Sequence, residues 1–98
     1  MSNKVIPGIK LIKHNASGVD LPDDTSYPFR LEANLRPPEF MIMAFIGLFG
    51  GSEIIIVRGM TQKALGEFIK AYNLRTHPRL RQLTITGLNG KILEEIKR

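Results

Sequence analysis

Ninety-eight residues with 43% hydrophobic and 23% charged content make one ordinary globular domain and exclude a disordered chain. The chain has no cysteine, which excludes disulfides and thiolate metal sites and fits a reducing cytoplasm. A net charge of +5, from 14 Lys and Arg against 9 Asp and Glu, permits attraction to nucleic acid or an acidic partner without requiring it.

Residues 1–39 hold five of the six prolines and read as an irregular N-terminal segment with one or two strands. Residues 1–7 lack the long apolar stretch of a secretory signal, so Asn15-Ala16-Ser17 is taken as a chance glycosylation match. Residues 5–13 are a candidate edge strand, because Pro7 cannot donate to a ladder. Ile9 and Leu11 share one of its faces, Lys10 and Ile12 the other. Gly18, Pro22, Asp23 and Asp24 then mark a loop. Residues 29–35 alternate: Phe29, Leu31, Ala33 and Leu35 point one way, Arg30, Glu32 and Asn34 the other. That is a strand with one buried and one wet face, ended by Arg36-Pro37-Pro38.

Residues 40–98 read as a hairpin–helix–strand core. Residues 40–49 and 53–58 are apolar on both faces and are joined by Gly50-Gly51-Ser52, which predicts a central hairpin. The same glycines cut the apolar run short of the roughly 20 residues that a membrane-spanning helix needs. Thr61 is placed to cap a helix. Leu65, Phe68, Ile69 and Tyr72 form its apolar stripe, and Gln62, Lys63, Glu67 and Lys70 its wet face. Gly66 weakens the helix and suggests a close approach to the sheet. Asn73-Leu74 resembles a left-handed helix stop. Residues 82–86 form the next strand, and Asn89-Gly90 signals a hairpin into residues 92–96, read as a strand rather than a helix.

The expected architecture is a small α+β domain. A mixed sheet of about five strands carries one amphipathic helix on one face, in a ββαβ(β) order. The strand–helix–strand unit predicts parallel strands with a right-handed crossover.

Catalytic patterns are missing. No G-x-S-x-G, H-E-x-x-H or phosphate-binding glycine loop occurs, and His14 and His77 are far apart in sequence. Asp20, Asp23 and Asp24 lack calcium-loop spacing and read as turn residues. The chain is therefore expected to be non-enzymatic, without cofactor or metal.

Two features suggest binding. The hairpin has two apolar faces and one confident helix to cover them. Met41, Met43 and Phe45 are thus expected at a homodimer or protein-partner surface, as in an accessory or regulatory factor. The alternative is a nucleic-acid module. Arg75, His77, Arg79 and Arg81 alternate, Pro78 favours extension at His77, and Lys70 lies close by, so an extended segment would present a cationic line to phosphates. A solvated loop complementing the helix C-terminus is the simpler reading and takes precedence.

Overall fold

A computed structural model of the chain describes residues 6–14, 21–37 and 53–98. Five strands form one sheet: β1 (Ile9–His14), β2 (Phe29–Leu35), β3 (Glu53–Gly59), β4 (Leu80–Thr86) and β5 (Ile92–Lys97). One α-helix among the described residues, α1 (Gln62–Ala71), packs against it. The α+β architecture is as expected.

The spatial order is β1-β3-β2-β4-β5, and every neighbouring pair is antiparallel. The expected mixed sheet is corrected on this point. β3 and β4 do run the same way, as a β–α–β unit requires, but β2 lies between them and is antiparallel to both. The physical reason is in β2 itself. Leu31 and Ala33 face the helix from the middle of the sheet and are fully buried. There they pair with Val57 and Ile55 on one side and with Ile85 and Leu83 on the other.

The helix begins and ends on local chemistry. The Thr61 hydroxyl accepts from the Ala64 amide at 3.0 Å. At the other end Asn73 adopts φ 52°, its amide donates to Lys70 O, and the Leu74 amide donates to Ile69 O at 3.0 Å. This pair of bonds is the Schellman arrangement, and Leu74 is buried as its hydrophobic contact. Leu65, Phe68, Ile69 and Ala64 are buried. Tyr72 departs from the predicted stripe: it is 50% exposed and stacks on Phe68, with ring centroids 4.5 Å apart. Gly66 also departs from expectation, since a Cβ there would meet nothing within 4 Å among the described residues. The close approach is at Gly59, where a Cβ would lie 2.9 Å from Leu65.

Asn89 and Gly90 both have positive φ, the mirror-image turn geometry that suits the twist of a two-strand hairpin. β5 follows as an edge strand. β1 forms the other edge, and its pairing with β3 shifts by one residue between Leu11 and Lys13. The first arm of the expected central hairpin, residues 40–49, lies outside the described residues, as do Met41, Met43 and Phe45.

The face away from α1 is not apolar throughout. Arg30, Glu32 and Asn34 of β2 and Gln82, Thr84 and Thr86 of β4 line it, half-buried. Apolar character is concentrated at Ile54 and Ile56 of β3 and Ile12 of β1. Residues 21–28 fasten onto this side. Arg58 donates to both carboxylate oxygens of Asp23, at 2.8 and 3.1 Å, and Lys10 reaches Asp24 at 3.0 Å. The Arg58 hydrogen bond holds the Asp23 carboxyl below its usual range.

Candidate functional site: a cleft at the C-terminal end of the helix

The bulge in β1 decides what this site contains. By strict alternation from Ile9 and Leu11, His14 would face away from the helix. One extra residue at Ile12 reverses the parity, since a bulge places two residues opposite one. Ile12 is therefore buried on the far side with Leu21 and Ile56. His14 comes opposite Ile55, on the helix side.

Glu53, two residues before Ile55, shares its face and pairs directly with Leu35. His14 Nε2 lies 2.5 Å from Glu53 Oε2. An ionised carboxylate only accepts, so Nε2 carries the proton. Residues 74–80 then turn twice, with His77 N donating to Leu74 O and Leu80 N to His77 O. This brings His77 and Arg79 to the same place. His77 Nδ1 accepts from the Arg79 amide at 3.1 Å, which leaves Nε2 as the protonated nitrogen of the neutral ring.

The result is a cleft of about 240 Å³ between the last turn of α1 and the sheet. Leu11, Leu35, Ile55, Phe68 and Leu74 form its apolar wall, and Tyr72 stands at its edge. His14, Glu53, His77 and Arg79 are the polar groups that line it. The two histidines, 63 positions apart in sequence, thus line one cavity. Sequence reasoning missed this grouping. The only local signal was the short alternation of β1, which the bulge interrupts.

The basic segment behaves differently from the predicted cationic line. Successive turns replace extended backbone, and the side chains diverge. Arg75 donates to Glu94 through Nε at 2.8 Å and Nη2 at 2.6 Å. Arg79 Nη1 donates to Arg36 O at 2.8 Å. Arg81, the extra residue at a register shift in β4, turns to the other face, beside Asn34 and Gln82. Lys70 is exposed on the last helical turn. The C-terminal Arg98 closes the loop from outside, its guanidinium donating to His77 O at 3.0 Å and to Arg75 O. The loop is thereby held in a fixed shape.

Among the described residues no group of three or more His, Cys, Asp or Glu is arranged to hold a metal ion. Also among them, no helix is long and apolar enough to cross a membrane. Asp20 lies outside the described residues, while Asp24 accepts from Ser26 and Lys10 in a turn. The chain matches no family model, no curated protein and no solved structure.

Proposed function

We propose that this is a small non-enzymatic binding protein, an accessory or regulatory factor of the cytoplasm, and that the cleft at the end of α1 is where it takes its partner. The observation that carries this reading is the combination of an apolar wall with a few convergent polar groups, the usual make-up of a binding pocket. Leu11, at the mouth of the cleft and 42% exposed, offers a way to block it without disturbing the core. The test is a pulldown from lysate, with and without nuclease, comparing the wild type with Leu11→Arg. Nuclease-resistant capture lost in the variant supports the reading, and capture indifferent to the variant removes it.

A second reading is homodimerisation or a protein contact through the sheet face away from α1. Ile54 and Ile56 favour it, because they stand on that face of β3 beside a polar surround. Sedimentation at micromolar concentration tests it, and a strict monomer removes the dimer. Nuclease-sensitive capture would instead favour the nucleic-acid alternative. Its hallmark is a salt slope that flattens when Arg75, Arg79 and Arg81 are together replaced by Gln.

A further inference from the structure

Resting on the reading of the cleft as a partner site, we infer that the group it takes from that partner is compact and apolar and carries a carboxylate, with the dimensions of a small aromatic or branched aliphatic monocarboxylic acid. Size comes first. A dry apolar cavity of about 150 Å³ holds one benzene ring. The cleft, at about 240 Å³, holds a ring with a short arm.

The wall supplies the apolar half of the recognition. Phe68 and Leu74 come from the helix and its stop, Leu35 and Ile55 from the sheet. Tyr72, held at 4.5 Å over Phe68, offers a second ring near the mouth.

The rim supplies the polar half. Arg79 uses Nη1 on Arg36 O, and its Nη2 forms an ion pair with Glu53 at 3.7 Å without a hydrogen bond. Its planar fork therefore keeps donors for a carboxylate, the group that guanidinium geometry matches best. His77 adds to them: with Nδ1 accepting from the Arg79 amide, its other nitrogen is a donor.

The charges at the rim leave that choice to the donors. Among the described residues Glu53 is the one carboxylate lining the cleft, and its Oε2 is already occupied by His14 at 2.5 Å. Arg79 balances its charge. Two more guanidiniums stand outside the lining, Arg36 donating to Arg98 O and Arg98 donating to His77 O.

The test uses the full chain and two probes of nearly equal shape, hydrocinnamate and its neutral amide, followed by amide chemical shifts. Hydrocinnamate is expected to move the resonances of Tyr72, Leu74, His77 and Arg79 and to bind at least about tenfold more tightly than the amide, since a hydrogen bond to a charged group supplies that much. Arg79→Gln is expected to abolish the difference between the probes while the amide still binds. Equal binding of the two probes to the wild type overturns the carboxylate inference and leaves the cleft reading standing. This comparison needs no variant, so a folding defect in Arg79→Gln does not weaken it. Neither probe moving these resonances, with nuclear Overhauser contacts from residues 38–52 to Leu35 and Tyr72, would mean that the chain fills its own cleft. That outcome overturns both.

Discussion

The two ends of α1 are packed in opposite ways. At the N-terminal end, Gly59 lets Leu65 sit against the backbone of β3, and an added Cβ would approach its Cγ and Cδ2 to 2.9 Å. Ala64 and Leu65 are buried there, and the Met60 amide donates to Gly8 O at 2.7 Å, tying the start of the helix to the turn before β1. At the C-terminal end a cleft lies between the helix and the sheet. Phe68 and Leu74 are still buried, but beside them the described residues leave a cleft, and Tyr72 is half out. The difference separates a part of the core that fixes the fold from a part that leaves room for something else. Interiors pack close to crystalline density, so a gap of this size beside a core residue is a feature to be explained.

The strongest way to break the comparison is to truncate the rings at the open end. Phe68→Ala is expected to cost about 3–5 kcal/mol, as for other large-to-small changes in a core. That is a large part of the about 5–15 kcal/mol available to a small domain. Tyr72→Ala, one turn on, is expected to cost only about 0.5–1.5 kcal/mol, the contribution of ring stacking. Urea unfolding of both variants measures this. Equal costs would show that Tyr72 is packed as tightly as Phe68 and that this end of the helix is not open.

At the closed end the sensitive residue is one with no side chain. Gly59→Ala forces a methyl group into Leu65 and within 3.2 Å of Thr61 O, and an overpacked site of this kind typically loses about 1–3 kcal/mol. Thermal unfolding that leaves Gly59→Ala at wild-type stability would show that Leu65 swings aside freely, and the tight end would lose its main argument. Gly66 is the control. None of the described residues lies within 4 Å of the position its Cβ would take, so Gly66→Ala should stabilise the protein by up to about 1 kcal/mol through helix propensity.

These contrasts also mark what could be read from the chain beforehand. The Thr61 cap, the Asn73-Leu74 stop, the alternation of β2 and the Asn89-Gly90 turn were legible because each rests on residues within a few positions of one another. The insertion of β2 between β3 and β4 was not, since a β–α–β pattern specifies direction but not which strand is the neighbour. Gly66 and Gly59 illustrate the same limit: both are glycines beside the helix, and only the three-dimensional packing says which one is needed. The cleft was hidden for two reasons. Its polar residues come from three separate stretches, and a single bulged residue turns His14 to the helix side. The basic segment misled in the other direction. Regular spacing of Arg75, His77, Arg79 and Arg81 suggested one cationic line, whereas the turns at Leu74 and His77 send the arginines to three different places.

The smallest expected effect concerns the tie that frames the open end. Arg75, just beyond the helix stop, holds Glu94 of β5 with two hydrogen bonds. Those bonds lower the Glu94 carboxyl below its ordinary 4.5 and raise the Arg75 guanidinium above its ordinary range, so the two shifts agree in sign. A carboxyl whose folded pKa is depressed stabilises the fold at pH values above its unfolded pKa. That contribution is lost as pH falls from about 4.5 through the lower folded value. Both side chains are partly exposed, so screening by solvent limits the contribution to about 0.2–1 kcal/mol. Asp23 and Asp24 are also shifted downward and titrate in the same acidic range, which makes the wild-type acid profile a sum of several groups. The informative quantity is therefore a difference. Between pH 6 and pH 3, the wild type should lose about 0.2–1 kcal/mol more stability than Glu94→Gln. Arg75→Gln should shrink the acid-dependent loss by a similar amount, because without the guanidinium the Glu94 carboxyl returns towards its ordinary pKa. Parallel profiles for all three proteins would mean that the Arg75–Glu94 contact does not persist in solution. The loop that carries His77 and Arg79 would then rely on the Arg98 guanidinium, the Arg79–Arg36 hydrogen bonds and its own turns to hold it beside the cleft.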